Sequence, residues 1–193
     1  MDTVRAFVGF LLDIGSTRRV AEYTRALRRA APGAGWQCAF TPPPNLHITL
    51  RFLGDIDAGL VGPLGDALPA VAAQIEPLSL TLGALGAFPS REAPRVLFVE
   101  IVRGAELLQR ARERLDAALA DFGIAADSRP FTPHVTLGRV KQAGAPGSLP
   151  PSSVEALPAH LHDITLWRSD LTRPGAEHHV LRRVPLGAGG RGR

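Results

Sequence analysis

The chain has a single cysteine, Cys38, among its 193 residues. That excludes an intramolecular disulfide and a thiolate metal cluster, and it suits a reducing cytoplasm. Long hydrophobic runs are missing too. The apolar stretch Phe7-Val8-Gly9-Phe10-Leu11-Leu12 stops at Asp13, too short to span a bilayer. No small-residue cleavage site follows it, so it reads as a first strand and not as a signal peptide. There is no Gly-x-x-x-x-Gly-Lys-Ser/Thr loop to seat a nucleoside triphosphate, and no Gly-x-Ser-x-Gly elbow for a serine nucleophile.

What is present describes a globular protein. Apolar residues make up 45% of the chain and mean hydropathy is +0.06. The length suits one domain, or two closely joined lobes, with a real core. A net charge of +4 and a pI near 10.4 favour an anionic partner. Much of the positive charge is arginine, including Arg18, Arg19, Arg25, Arg28 and Arg29 in one segment. That run is read either as a solvated helix face or as a nucleic-acid footprint. The domain is expected to cover residues 1–186. The terminal 187–193, Gly-Ala-Gly-Gly-Arg-Gly-Arg, is expected to be a disordered basic tail.

One tetrapeptide pattern occurs twice, as His47-Ile48-Thr49-Leu50 and His134-Val135-Thr136-Leu137. In a strand, residues two apart share a face. His47 and Thr49 therefore project together while Leu46, Ile48, Leu50 and Phe52 turn away, and His134 and Thr136 stand opposite Val135 and Leu137. The repeat extends outward. Arg5-Ala6-Phe7-Val8 matches the strand around Phe98 when Phe7 is laid on Phe98. Helical spacing follows each strand, over 17–31 (opened by Ser16 or Thr17 as a cap) and over 104–121. Each helix then leads to its histidine strand, 40 residues after Phe7 and 36 after Phe98.

Between the two units, 57–75 reads as a helix, with Pro63 and Pro69 interrupting it. Strands are predicted at 78–84, 95–102, 161–168 and 178–186, with 141–159 as a Pro/Gly/Ser-rich surface connection. The result is an α+β protein: bilobal, built from duplicated strand–helix–strand units, with two mainly antiparallel sheets flanking a central cleft. The strand–helix–strand crossovers would make some strand pairs parallel.

Two histidines from two such strands suit acid–base chemistry at a phosphodiester. A neutral imidazole can take a proton from water while an imidazolium protonates the departing oxygen, each role worth about 10²–10⁴-fold. The two threonine hydroxyls can donate to the non-bridging oxygens. No metal or cofactor is needed. Which histidine is acid and which is base stays open, because the duplication makes the strands nearly equivalent. Arg51 shares the His47 face by parity and lies about 13 Å along the strand, within reach of an RNA phosphate, although a plain surface arginine is the simpler reading. Trp36, Phe40, Phe131 and Trp167 could stack on a base, with core packing the default for all four and Phe131 the candidate to test. Parity turns Arg139 away from the site unless a bulge intervenes. His178-His179 starts the last strand near the cleft. His160-Leu161-His162-Asp163 has same-face spacing for a metal but no second cluster to complete a shell. Asn45 is read as capping the turn into the first motif.

These residues resemble the 2H phosphoesterases, and within them the RNA 2′,3′-cyclic phosphodiesterases, or LigT-type 2′-5′ RNA ligases. The likeness is carried by Arg5-Ala6-Phe7-Val8, by Pro44-Asn45-Leu46-His47-Ile48-Thr49-Leu50-Arg51-Phe52-Leu53-Gly54 and by Phe88-Pro89. It continues through Pro94-Arg95-Val96-Leu97, Phe131-Thr132-Pro133-His134-Val135-Thr136-Leu137-Gly138-Arg139 and Leu166-Trp167-Arg168-Ser169-Asp170-Leu171. Gly175-Ala176-Glu177-His178-His179 departs from the pattern, where such proteins often carry a tyrosine. The resemblance implies a bilobal, metal-free enzyme with a central groove that opens a terminal 2′,3′-cyclic phosphate on RNA to a 2′-phosphomonoester. By the same resemblance His47 is the proton donor, His134 the base and Thr49 and Thr136 the phosphate ligands, with 2′-5′ joining as the reverse reaction. A monomer with no protein partner and no membrane contact is expected. The competing expectations are a phosphodiesterase for a small cyclic nucleotide and a non-catalytic RNA-binding module.

Overall fold

The structure, a computed structural model, describes residues 2–144, 156–171 and 176–187. Its elements run β1 (Thr3–Leu11), α1 (Ile14–Ala30), β2 (Gln37–Phe40), β3 (His47–Asp57), α2 (Val61–Ala72), β4 (Leu78–Phe88), β5 (Val96–Arg103), α3 (Ala105–Ala120), β6 (His134–Gln142), β7 (Leu157–Leu161), β8 (Asp163–Leu171) and β9 (Ala176–Pro185). The strands form one antiparallel sheet in the order β7-β4-β5-β6-β3-β1-β8-β9, with β2 added alongside β6. Two lobes meet at β3 and β6, where the register gives a single pair, Ile48 opposite Val135. The tail beyond Gly187 lies outside the described residues, as does most of the predicted surface connection.

The strands form where apolar residues alternate. In β3, Ile48 and Leu50 are buried at 0% and 2% exposure while His47 and Thr49 are half-buried. Helix α1 buries Val20, Ala21, Thr24 and Leu27 along one stripe. It begins three residues earlier than expected because Asp13, and not Ser16 or Thr17, caps it by accepting from the Ser16 N–H at 2.9 Å. The predicted helix over 57–75 shortens to α2, since β3 runs on to Asp57. Pro63 falls within the first turn of α2, where its missing N–H costs nothing.

The helices are exchanged between lobes. Helix α1 follows a strand of the first lobe yet packs on β7 and β2 of the second. Ser16 Oγ donates to the Pro158 carbonyl at 3.1 Å, and the His160 N–H donates to Asp13 at 2.9 Å. Helix α3 follows β5 of the second lobe but packs on β3 and α2 of the first, and α2 also covers β8 and β9. Each crossover thus leaves its lobe and returns. This is why β1 and β3, and likewise β5 and β6, pair antiparallel, and among the described residues no parallel pair forms.

Each motif strand carries a bulge at the same place. Thr49 pairs with Gly9 and Arg51 with Val8, so Leu50 has no partner on β1. Thr136 pairs with Phe98 and Gly138 with Leu97, so Leu137 has none on β5. A bulge reverses the alternation of every residue beyond it. The registers also place Gly9, not Phe7, at the position equivalent to Phe98, so the internal repeat superposes two residues away from the alignment on phenylalanines. A shift of two keeps the same face.

Candidate active site

The Ile48–Val135 pair decides the geometry. Those two side chains point into the core, at 0% exposure each, so their neighbours on both strands point to the other face. Carried one residue each way, the antiparallel register sets His47 beside Thr136 and Thr49 beside His134, related by an approximate twofold. The Nδ1 of His47 lies 2.7 Å from the carbonyl of Asn45, and the Nδ1 of His134 lies 2.7 Å from the carbonyl of Thr132. A carbonyl accepts only, so each Nδ1 carries the hydrogen, and in the neutral ring each Nε2 is left with its lone pair. Thr49 Oγ1, 3.0 Å from His47 Nε2, donates to that lone pair. Both imidazoles are thereby presented to the cleft through Nε2.

Each ring rests on a stacked aromatic pair. His47 sits 4.9 Å from Phe7, which stacks on the buried Trp167 at 4.9 Å and 15°. His134 sits 5.0 Å from Phe98, which stacks on Phe88 at 4.3 Å and 27°. These apolar platforms remove water and disfavour the charged imidazole. Burial pulls His47 down to about 4, opposed by the bond to the Asn45 carbonyl and assisted by the charges of His178 and His134. Burial also lowers His134, opposed by Thr132 and assisted by Arg139. Both imidazoles are thus held below the ordinary histidine value, which favours their neutral forms in the free protein.

The structure corrects two candidates. Arg51 is not on the His47 face: the bulge at Leu50 turns it inward, where it is only 6% exposed. It meets Asp116 of α3 and Asp127 of the following loop at 3.2 Å each and donates to the Ala125 carbonyl. Arg112 completes the cluster, 3.3 Å from Asp116 and 3.1 Å from the Asp127 carbonyl. The cluster fastens the loop that leads to His134 onto the strand that carries His47. Phe131 does not offer a free ring to a base. It packs partly buried against the core, under the Arg112 guanidinium at 4.9 Å.

Other residues enter the site. The bulge at Leu137 brings the exposed Arg139 to the His134 side, and Phe52 joins the His47 face, 5.8 Å from Phe7. His178 stands 5.3 Å from His47. The Asn45 and Thr132 carbonyls, each two residues before a histidine, were legible only as the same offset in both copies. Trp36 is buried at 7% exposure, and Phe40 lies under Arg28 at 5.5 Å. His160 faces His162 at 6.4 Å and contacts Ser79. Among the described residues no three His, Cys, Asp or Glu side chains are grouped to hold a metal ion, and no helix is long and apolar enough to cross a membrane.

Compared with known proteins, the model of the family described as "LigT like Phosphoesterase" matches residues 13–98 and again residues 99–177. The chain belongs to this family. This LigT-like phosphoesterase is 36% identical over 147 residues to the RNA 2′,3′-cyclic phosphodiesterase of Geobacillus stearothermophilus, a match covering 74% of this chain and 46% of that protein. The chain thus spans about half the length of that relative. It is 34% identical to the RNA 2′,3′-cyclic phosphodiesterase of Aeropyrum pernix over 152 residues, 76% of this chain and 85% of that one. Its fold matches the crystal structure of TT0787 of Thermus thermophilus with a TM-score of 0.80 and 28% identity, over 97% of this chain and 100% of the other.

Proposed function

We propose that this LigT-like phosphoesterase hydrolyses the 2′,3′-cyclic phosphate end of RNA to a 2′-phosphomonoester, with His47 and His134 as its acid–base pair. The observation that carries the reading is the twofold arrangement of the motif strands: two imidazoles set diagonally on one face, each with Nδ1 held by a backbone carbonyl so that Nε2 is left for chemistry. His134 Nε2 takes a proton from water as the water oxygen forms its bond to phosphorus. The P–O3′ bond breaks, and protonated His47 gives its Nε2 proton to O3′. The phosphate remains on O2′. Thr49 and Thr136 donate to the non-bridging oxygens, and Thr49 leaves His47 Nε2 to do so.

Burial favours the neutral form of His47 in the free protein, so the proton for O3′ is taken up with the substrate. The anionic cyclic phosphate supplies the reason: a negative charge beside His47 favours its imidazolium. The same steps reversed, with an RNA hydroxyl in place of water, give 2′-5′ joining. No step calls for a metal or a cofactor. The reading makes the chain a single bilobal domain over 1–186, working as a cytoplasmic monomer on RNA.

The test is turnover of an oligonucleotide with a 2′,3′-cyclic end in the presence of EDTA, with the position of the product phosphate assigned. A 2′-phosphomonoester is expected. Faster turnover of a cyclic mononucleotide than of the oligonucleotide would move the substrate class to small nucleotides. Binding without turnover of either would leave an RNA-binding module.

A further inference from the structure

Strand β9 delivers a third imidazole. His178 lies across from Ser169 of β8, and its ring meets His47 edge to face at 5.3 Å and 88°, with Phe7 at 5.0 Å and 75°. Asn45 joins the two histidines structurally. Its carbonyl accepts from His47 Nδ1, and its side-chain Nδ2 donates to the carbonyl of Ala176 at 3.3 Å, two residues before His178. The Nδ1 of His178 is buried and has no hydrogen-bond partner among the described residues.

The titratable group in contact with this ring is His47 on β3, and Phe7 of β1 brings no charge. Farther along the same face the register sets the Arg5–Asp55 pair of β1 and β3, the Asp163–Arg183 pair of β8 and β9, and His134 and Arg139 of β6 with Glu100 of β5 across from His134. Arg168 and Asp170 of β8, with Glu177 and His179 of β9, alternate to the opposite face. There Asp170 is paired with Arg168 at 2.8 Å and His179 at 3.2 Å. Asp55 and Asp163 are already paired with arginines, and among the described residues no hydrogen bond or ion pair joins a carboxylate to His178. Protonating it beside a charged His47 would bury an N–H without an acceptor and set two positive charges about 5 Å apart. At an effective dielectric of roughly 20–40, that repulsion is worth about one to two pH units of proton affinity.

We propose that His178 is a positioning residue of this site that shares a single proton with His47, so that His178 governs when His47 is the imidazolium. Binding of one anionic phosphate then brings in one proton and not two, and the proton is passed to the ring that faces the leaving oxygen. The effect on turnover rests on the acid–base role proposed above for His47; the shared titration does not.

An NMR titration of the imidazoles in the substrate-free protein tests it directly. His47 and His178 are expected to titrate as a coupled pair, each curve carrying the other's inflection. In His178→Gln the His47 curve should become a single step displaced upward by about one to two pH units, and the alkaline limb of kcat/KM should move the same way. His178→Phe, which keeps a ring against His47 and Phe7, should behave like the glutamine variant if the proton matters and like the parent if only packing does. Single-step titration of His47 at the same pH in parent and variants would overturn the proposal, and the parent curves alone suffice if a variant fails to fold. Coupled titration with an unmoved rate profile would leave the shared proton intact and remove His47 from the proposed acid role.

Discussion

The two histidines have the same local support and different company. Both have Nδ1 held by the carbonyl two residues back, both rest on a stacked aromatic pair, and both precede a bulge that starts at the residue after the threonine. Beyond that the lobes part. The register puts Leu11 across from His47 but Glu100 across from His134. His47 has His178 as a third ring, whereas His134 has Arg139. The duplication thus supplies a shape, and residues outside the repeated tetrapeptide give the two histidines different surroundings.

Loss of either histidine should erase most of what the lobes share. His47→Ala and His134→Ala are each expected to lower kcat by about 10²–10⁴-fold or more, with RNA binding largely kept. Comparable residual rates would mean equivalent roles; a large disparity would show the environments already separating them. Next in size is the link between lobes. Arg51→Met removes one guanidinium from the half-buried Asp116 and Asp127, which keep Arg112 and Arg129, and chemical denaturation should report a loss of about 1–3 kcal/mol. A loss of turnover with unchanged stability would instead return Arg51 to the substrate side.

Acid should find the first lobe more sensitive. With a pKa held near 4 in the fold against an ordinary value of 6.5, His47 binds fewer protons folded than unfolded between those limits. The stability it contributes is present above about pH 6.5 and lost as pH falls toward 4, amounting to roughly 3 kcal/mol at most. A His47→Gln variant should therefore show a flatter stability profile over that window; identical profiles would contradict the lowered affinity. The smallest effect sharpens the second lobe. Arg139→Gln removes a positive charge that lowers His134, so the acid limb of kcat/KM should move upward by less than about one pH unit. The His47 limb should stay in place.

Much of this was readable as alternation. Period-two counting assigns His47, Thr49, His134 and Thr136 to one face and Ile48 and Val135 to the core, and so they are. The counting fails one residue later, because bulges at Leu50 and Leu137 are set by pairing with other strands and leave no mark in composition. Arg51 was lost and Arg139 gained by that one cause. Strands β2 and β7 escape the alternation for a different reason. They are short and lie at the margins of the sheet, and β7 holds Pro158, which an edge can accept and an interior strand cannot. The contact of Arg51 with Asp116 and Asp127 joins residues more than sixty apart, beyond any local pattern.

The exchange of α1 and α3 across the lobes carries a consequence for how the molecule is made and how it moves. A chain cut between β4 and β5 would give two fragments, each having surrendered the cover of its own strands to the other, so the halves should be soluble and ordered only when expressed together. For the same reason the histidine strands cannot swing apart like jaws without stripping a helix from its seat. Substrate must come to a preset gap, and turnover should not wait on opening and closing.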